Sequence, residues 1–345
     1  MKHQHNTNKM QYVSVLRVCS MLLIVLFHSM CFYTGNWWYL CTEVSLFWKV
    51  MASPVVKIGL TTFVFISGFL YGYLFLQKGK YRDVRSFVVN KCQRLLIPYF
   101  FWGIVMIMTM PEVQITWVNL FTGIAHLWFL LMLFEIFVIM ILLNKMGIGE
   151  HSTLFVDFII VFTSFVLLYV WKTYTSHHFV LAIEATLYYL PAFLVGFYYS
   201  KYRQGNENPV LAFLQFMIGV VLLFLFSFYN YPEESTLYRI PAIFVSISAM
   251  ILLKNVDIPF CQSILFKNLD KNSMGIYIFN QIVVFGLLLN PEISLFLRNH
   301  SIMGGIILIF VVSLFVPWLL SNLFNRLGCL SFLIGSSCYK FHPSK

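Results

Sequence analysis

Arg17 and His28 are the residues of this sequence whose types and spacing point most directly to chemistry. Both fall in the first long apolar run, 13–33, where an ionisable side chain is expensive, about 2.5–3.5 kcal/mol for an Arg at the bilayer centre. They are 11 residues apart, close to three helical turns, so one helix face carries both about 16 Å apart. One groove can then hold a guanidinium near one end and an imidazole near the other. The alternative is that Arg17 extends to the headgroups and His28 hydrogen-bonds at the interface.

A basic segment from Lys78 to Arg94 forms a second group of candidates, with six cations and one acid. If the segment is helical, Arg85, Lys91 and Arg94 lie on a similar face. Arg and Lys side chains bind phosphate groups as forks and point charges. The segment therefore either docks a phosphate-bearing donor on the cytoplasmic side or is a solvated loop that contacts anionic lipid.

His126 precedes Trp128 near the start of the fourth apolar run. It can converge with His28, because both lie toward the outer half of the bilayer. The alternative is an interfacial His–Trp anchor. Glu135 follows nine residues later, about half a turn beyond two full turns, so the two side chains face opposite sides and no direct pair is expected.

Two adjacent amides, Asn280 and Gln281, lie in the ninth apolar run and need hydrogen-bond partners in lipid. Hydrogen bonding between helices is the simpler explanation for them. Ser67 and Gly68 in the second run predict a site of close helix packing. Glu184 and Arg239, each near an outer helix end, either line an outward cavity or face water.

Composition sets the class of the protein. Of its 345 residues, 60% are hydrophobic and 10% are charged, against about 25% charged in soluble domains. Runs near 20 apolar residues can span a hydrocarbon core about 30 Å thick, and backbone in lipid must be helical to satisfy its own hydrogen bonds. We expect an all-α integral membrane protein, a single polytopic domain over 1–345. The ten predicted spans are 13–33, 54–76, 96–111, 118–143, 153–171, 179–199, 210–229, 237–253, 273–289 and 302–325. The third is the weakest, since 84–97 before it can instead be an interfacial amphipathic helix.

The distribution of charge predicts the orientation. Most of the 23 Lys and Arg residues lie in loops on one side when the N-terminus is cytoplasmic, as the positive-inside rule requires. Both termini are then cytoplasmic, with Arg17 toward the cytoplasmic face and His28 toward the outer face. The net charge of +10 thus reflects topology, and we expect no nucleic acid partner. Trp37, Trp38 and Tyr39 predict an outer aromatic belt.

The seven cysteines form no CxxC pair and no spacing with His that is typical of a metal site. We expect no metal. Cys31 and Cys41 share the predicted outer side and can pair. The sequence also lacks a nucleophile elbow, a Walker loop and an HExxH motif, so it gives no support for a serine hydrolase, an ATPase or a zinc protease.

Four motifs, taken in order, resemble the membrane-bound acyltransferase family 3, which includes bacterial surface-polysaccharide O-acetyltransferases. Arg17 and His28 match the Arg-x10-His pattern of its first helix. The run 63–70 resembles its FFxxSGF motif, 126–130 its HLWFL stretch and 273–277 its S-x-G-I-Y motif. The resemblance extends from near the start of the first span to near the end of the last.

Two departures from the family pattern bear on function. Lys91 and Arg94 stand where the family has Arg-x-x-Arg, and Lys keeps the charge but loses the bidentate fork. Asn280 stands where the late motif often ends in His. Because an amide does not take up a proton at neutral pH, Asn280 can act there only by hydrogen bonding.

The resemblance implies an acyl-CoA donor, expected to be acetyl-CoA, on the cytoplasmic side, and a hydroxyl acceptor on a cell-surface glycan or lipid-linked glycan. It predicts an O-acyltransferase in a bacterial cytoplasmic (inner) membrane, in contact with lipid. His28 would be a general base or would carry the acyl group transiently. The candidate catalytic residues are His28, Arg17 and His126, the donor-binding residues are Arg17, Arg85, Lys91 and Arg94, and the supporting residues are Ser67, Trp128, Glu135, Tyr277 and Asn280.

Two other classes of function fit the same features. Intramembrane charges and midplane amides also occur in transporters, so a transporter or flippase for a glycan or a small acid is the main alternative. A non-catalytic assembly partner in polysaccharide synthesis is the third, and it predicts that His28 tolerates substitution.

Overall fold

The computed structural model describes residues 10–35, 44–110, 116–174, 181–203, 207–231, 235–254, 256 and 258–336. This part of the chain is 86% helical and contains no strand. Its α-helices are α1 (Gln11–Thr34), α2 (Leu46–Gly72), α3 (Val84–Lys91), α4 (Ile97–Thr109), α5 (Asn119–Thr122), α6 (Trp128–Lys145), α7 (Leu154–Tyr174), α8 (Ile183–Tyr202), α9 (Pro209–Phe228), α10 (Thr236–Lys254), α11 (Ile264–Leu289), α12 (Pro291–Asn299) and α13 (Ile302–Arg326). Short π-helical segments are Tyr73–Gln77 and Cys92–Leu96, and short 3₁₀ segments are Ala125–Leu127, Pro259–Gln262 and Gly328–Ile334.

Nine helical segments in the described residues are long and apolar enough to cross a membrane. The chain is therefore an all-α multi-pass membrane protein, as its composition predicts. The tenth expected span, 179–199, corresponds to α8, which is 20 residues long but is rich in tyrosine and falls outside these nine. It still packs against α2 as extensively as α1 does, so it is an integral part of the bundle.

Three boundaries differ from the sequence prediction. α3 continues through the π-helical segment Cys92–Leu96 into α4, so 84–97 is the start of a membrane-crossing helix rather than a separate interfacial one. α11 begins at Ile264, well before residue 273, because the Ser263 hydroxyl caps it by accepting a hydrogen bond from the Phe266 N–H at 3.1 Å. α12 was not expected. Because α11 starts at Ile264, Asp270 lies on this helix and not in a loop.

Three features predicted from the sequence are not decided by the structure. The aromatic belt at Trp37, Trp38 and Tyr39 lies outside the described residues, and so does Cys41. Cys31 is buried in α1, and its pairing with Cys41 stays a prediction. The cytoplasmic position of the termini also stays a prediction.

The helices that hold the candidate site lie at the centre of the bundle. α1 packs against α2, α11 and α13, and α2 also packs against α8 and α10. Most residues of α1, α2 and α11 are buried, whereas α7 and α9 are mainly exposed and apolar. In a multi-pass membrane protein such exposed apolar faces contact lipid. The chemistry-bearing residues of α1 and α11 are thus shielded from lipid by the surrounding helices.

Gly68 and Gly196 allow a close backbone contact between α2 and α8. A Cβ atom on Gly68 would lie 2.0 Å from the Phe193 carbonyl oxygen, and one on Gly196 would lie 2.1 Å from the Phe65 carbonyl oxygen. The two backbones touch, as in other membrane helix pairs with small residues at the interface. The packing role predicted for Ser67 and Gly68 agrees with this geometry.

We expect Gly68→Ala to destabilise the protein at or beyond the upper end of the usual cost of overpacking, about 1–3 kcal/mol, because backbone atoms of α8 cannot rotate away. The measurement is the apparent melting temperature of detergent-solubilised protein, monitored by size-exclusion chromatography. Gly286→Ala on α11 is the matched control, since its added Cβ would have no heavy atom within 4 Å. Equal melting temperatures for the two variants would contradict the α2–α8 contact.

Candidate active site

Arg17 and His28 both face α11. The Arg17 guanidinium binds the Asp270 carboxylate through Nε and Nη2, each at 2.7 Å. His28 Nδ1 is hydrogen-bonded to the Asn280 side-chain oxygen. Asp270 and Asn280 are ten residues apart on α11, about 15 Å along the axis, which nearly equals the rise from Arg17 to His28 on α1. The shared face that the spacing of Arg17 and His28 predicts therefore packs along α11.

The hydrogen bonds of Asn280 fix the tautomer of His28. Asn280 Nδ2 donates to the Ser313 carbonyl oxygen at 3.0 Å, and a carbonyl can only accept. The amide oxygen of Asn280 must therefore face His28 as an acceptor, so His28 Nδ1 is the donor. The neutral ring then carries its lone pair on Nε2. This is the form of imidazole that can take a proton or attack a carbonyl carbon.

His126 lies beside His28 with the opposite tautomer. The two ring centroids are 6.0 Å apart, and the rings meet edge to face. His126 Nε2 donates to the Ile278 carbonyl oxygen at 2.8 Å, so its lone pair is on Nδ1. The Tyr277 hydroxyl donates to the His126 carbonyl oxygen. α11 thus holds both imidazoles, and the convergence of His126 with His28 expected from the sequence is present.

The backbone around His126 is held in an unusual conformation. Gly123 has φ 105° and Ala125 has φ 39°, a region that residues with a Cβ rarely adopt. A Cβ on Gly123 would lie 3.0 Å from that of Trp128. The short 3₁₀ segment Ala125–Leu127 is thereby turned so that His126 is buried against α11.

A cavity of about 430 Å³ lies at the Arg17 end of the site. We call it the Arg17 cavity. It is lined by residues of α1, α2, α6 and α11 and of the π-helical segment Cys92–Leu96. Its polar lining residues are Arg17, Ser67, Tyr71, Tyr81, Lys91, Arg94, Asp270, Lys271, Ser273 and Ser336. Four cations and one carboxylate among the lining residues suit a polyanionic ligand.

Lys91 and Arg94 line this cavity in different ways. Lys91 Nζ lies 3.7 Å from the centre of the Phe137 ring and 5.3 Å from that of Phe87, so aromatic faces hold the ammonium in place. Arg94 Nε donates to the Gly335 carbonyl oxygen at 3.0 Å. Lys91 and Arg94 therefore make different contacts at this cavity, and the effect of Lys91 in place of an Arg on donor binding stays a prediction.

Arg85 does not join them. It is exposed on α3 and does not line the Arg17 cavity. Arg85 and Arg94 are nine residues apart, about half a turn beyond two full turns of a regular α-helix, so the similar face predicted for them does not hold even before the π-helical segment at Cys92. The structure thus gives the predicted donor-binding role of Arg85 no support.

His28 is not among the residues that line the Arg17 cavity, so the described part of the chain does not show the single groove that the sequence suggests. Phe63 and Met274 line this cavity. Packed aromatic rings lead from it toward the histidines: Phe63 lies 5.5 Å from Phe129, and Phe129 lies 5.4 Å from Tyr277. The physical reason is that large side chains fill the helix interface between the two ends.

Two parts of the site were not found from the sequence. Asp270 lies close to two cations in the sequence. The feature that could have identified it as a site residue is its spacing from Asn280, which nearly equals the spacing of Arg17 and His28. Gly335 and Ser336, which follow the 3₁₀ segment Gly328–Ile334, line the Arg17 cavity, and the Trp102 Nε1 atom donates to the Leu333 carbonyl oxygen at 2.8 Å. No motif in the sequence marks that segment.

The remaining predicted residues lie around this core. Ser67 lines the Arg17 cavity, and its hydroxyl donates to the Phe63 carbonyl oxygen at 3.0 Å. Glu135 accepts hydrogen bonds from the Ala182 N–H at 2.9 Å and the Thr186 hydroxyl at 2.6 Å. It therefore joins α6 to the start of α8, and neither of these hydrogen bonds involves His126.

Trp128 lines a second cavity of about 450 Å³ together with residues of α2, α5 and α8. We call it the Trp128 cavity. Gly123 and Trp128, which flank the His126 segment in the chain, both line it, whereas His28 and His126 are not among its lining residues. In the described residues no three His, Cys, Asp or Glu side chains are grouped so that they could hold a metal ion.

Comparison with known proteins places this arrangement in a family. No curated protein matches the chain, and no solved structure matches it. A family model described as an acyltransferase domain matches residues 10–322, which include Arg17, His28, His126 and Asn280. The chain therefore belongs to acyltransferase family 3 and is a multi-pass membrane acyltransferase.

Proposed function

We propose that this protein is an O-acyltransferase of the O-acetyl type, which transfers the acyl group of cytoplasmic acyl-CoA to a hydroxyl of a cell-surface or exported glycan. Its location would be a bacterial cytoplasmic membrane. The observation that carries the proposal is the His28 imidazole, whose tautomer is fixed by Asn280 and whose helix also holds Arg17 at a cation-lined cavity. A base and an anion site on the same two helices suit transfer from a phosphate-bearing donor.

The donor end of the proposal rests on the Arg17 cavity. Arg94, Lys91 and Lys271 line it together with Arg17, and cations of both kinds bind phosphate oxygens. The phosphates and the adenosine of acyl-CoA would bind in this cavity. The pantetheine arm would then point toward His28, and the Phe63 and Phe129 rings would have to shift to admit the thioester.

The acceptor end rests on His28. As general base, Nε2 would take the hydroxyl proton while the oxygen attacks the thioester carbonyl carbon. The C–S bond then breaks and the CoA thiolate takes up a proton. As a transient carrier, Nε2 itself would attack the carbonyl, release CoA, and pass the acyl group to the hydroxyl in a second step. Both routes need the lone pair on Nε2.

The deciding experiment detects a covalent product, the acylated glycan. Membranes that contain the protein are incubated with acetyl-CoA labelled in the acetyl group and with their endogenous glycan, and the glycan is then extracted and counted. We expect label that mild alkali removes as acetate, because an ester is formed. A transporter or flippase would leave the glycan unlabelled, and this outcome would exclude the acyltransferase proposal for that glycan.

We expect Arg17→Lys to raise the KM for acyl-CoA about tenfold and to change kcat less. The ammonium keeps the charge but cannot bind the Asp270 carboxylate through two parallel N–H groups, so the cation is held less firmly at the cavity. The measurement is the acetyl-CoA dependence of transfer in membranes with equal amounts of protein. Arg326→Lys, an exposed Arg at the end of α13, is the matched control. An unchanged KM in Arg17→Lys would remove Arg17 from donor binding.

A further inference from the structure

The Trp128 cavity has an aromatic wall that suits a sugar ring. The Trp128 and Tyr189 rings are stacked with their centroids 6.0 Å apart, and Tyr188 meets Tyr189 edge to face at 4.8 Å. All three residues line the cavity. Aromatic side chains of this kind offer an apolar face together with polar edges, and a pyranose has a C–H face and hydroxyl edges that match them. The volume of the Trp128 cavity, about 450 Å³, lies in the range of small-molecule sites.

Two cationic side chains lie near the Tyr188 ring of this wall. Lys57 lines the cavity, and its Nζ lies 5.0 Å from the centre of the Tyr188 ring. The Arg239 guanidinium lies 5.3 Å from the centre of the same ring. Both side chains are buried, with 9% and 3% of their surface exposed. Glu184, which also lines the cavity, is already paired with Lys172 at 2.8 Å.

Arg239 has unused hydrogen-bonding capacity. Its Nη2 donates to the Phe165 carbonyl oxygen at 3.3 Å, whereas Nε and Nη1 have no hydrogen-bond partner in the part of the chain that the structure describes. A buried guanidinium with unpaired N–H groups is costly, and an anion nearby would lower that cost. The unpaired N–H groups of Arg239 beside the Tyr188 ring therefore favour a negatively charged occupant over a neutral one.

We propose that the Trp128 cavity binds an acidic saccharide, one that carries a carboxylate or a phosphate group. The sugar ring would pack on Trp128 and Tyr189, and its anionic group would lie near Lys57, within the field of Arg239. The inference rests on the proposed function, because it makes this saccharide the acyl acceptor. Gly123 and Trp128 of the cavity lining flank the chain segment that carries His126, so a hydroxyl of the bound sugar would have to reach the histidines past that segment.

The test compares two probes that differ in one group, p-nitrophenyl β-D-glucuronide, which has a carboxylate, and p-nitrophenyl β-D-glucoside, which has a hydroxymethyl there. Binding to the purified full chain in detergent is measured by calorimetry, without donor. We expect the glucuronide to bind about tenfold more tightly, as a charge-assisted contact would give. Lys57→Gln should bring the two affinities together while glucoside binding persists. Lys49→Gln, an exposed residue of the same helix, should keep the preference.

Each result decides one question. Equal affinity of the wild-type protein for both probes, or an unaltered preference in Lys57→Gln, would overturn the acidic-saccharide site. Loss of glucoside binding in Lys57→Gln would signal a damaged fold, and Arg239→Gln then replaces it as the deciding variant under the same criterion. A clear glucuronide preference without any acetyl transfer would leave this site standing and count against the proposed function alone.

Discussion

Replacing His28 by alanine is expected to lower the rate of acyl transfer by about 10²–10⁴-fold, the usual contribution of a positioned general base, and to leave the protein in the membrane. The side chain is buried beside His126 and bound to Asn280, so alanine removes the Nε2 lone pair, whereas the His126 ring is held by Ile278 and not by Asn280. The measurement is the initial rate of label transfer from acetyl-CoA to glycan, divided by the amount of protein found in the membrane.

The control for this variant is His300→Ala. His300 is exposed at the end of α12 and bonds only to the Phe296 carbonyl oxygen, at 2.8 Å, in the described residues. We expect it to transfer at the wild-type rate. Acylation by His28→Ala at an undiminished rate would remove the imidazole from the mechanism and favour the non-catalytic assembly role instead.

The same variant separates the two roles of His28 when the acceptor is left out. If the imidazole carries the acyl group, wild-type protein mixed with labelled acetyl-CoA and quenched rapidly should hold acid-labile label, and His28→Ala should hold none. If the imidazole is only a base, neither protein should be labelled, and transfer should need acceptor and donor together.

The sequence predicts the central helices well because their physics is local. An apolar run of about 20 residues must be helical in lipid, and a period of 3.6 residues places Arg17 and His28 on one face. That face packs along α11, as a shared face requires. The close packing at Gly68 could also be foreseen, since a glycine in a membrane helix commonly lets another backbone approach.

The features of the site that the sequence did not predict depend on long-range contacts or on irregular turns. Asp270 lies far from Arg17 in the sequence, and it becomes a site residue only because the Ser263 cap starts α11 early. The role of Gly335 depends on how the 3₁₀ segment after α13 folds back onto Arg94.

Asn280→Leu is the second variant with a large expected effect, a loss of transfer of about 10–100-fold, comparable to the loss of other groups that orient a functional imidazole. Leucine has nearly the same volume but cannot accept the Nδ1–H of His28 or donate to the Ser313 carbonyl oxygen. The neutral imidazole is then no longer held with its lone pair on Nε2, and part of the population adopts the inactive tautomer. Transfer is measured as for the His28 variant, under saturating acetyl-CoA.

A lower rate alone would not separate tautomer control from a general disturbance of α11, so the experiment needs a direct readout. ¹⁵N chemical shifts of histidine-labelled protein distinguish protonated from unprotonated ring nitrogens, and the His28 signals are assigned by subtracting the spectrum of His28→Ala. We expect Nδ1–H in the wild type and a mixture in Asn280→Leu. Gln281→Leu, the next residue and also a buried amide, is the control and should keep Nδ1–H at His28. The same tautomer in all three proteins would mean that Asn280 supports the helix and not the base.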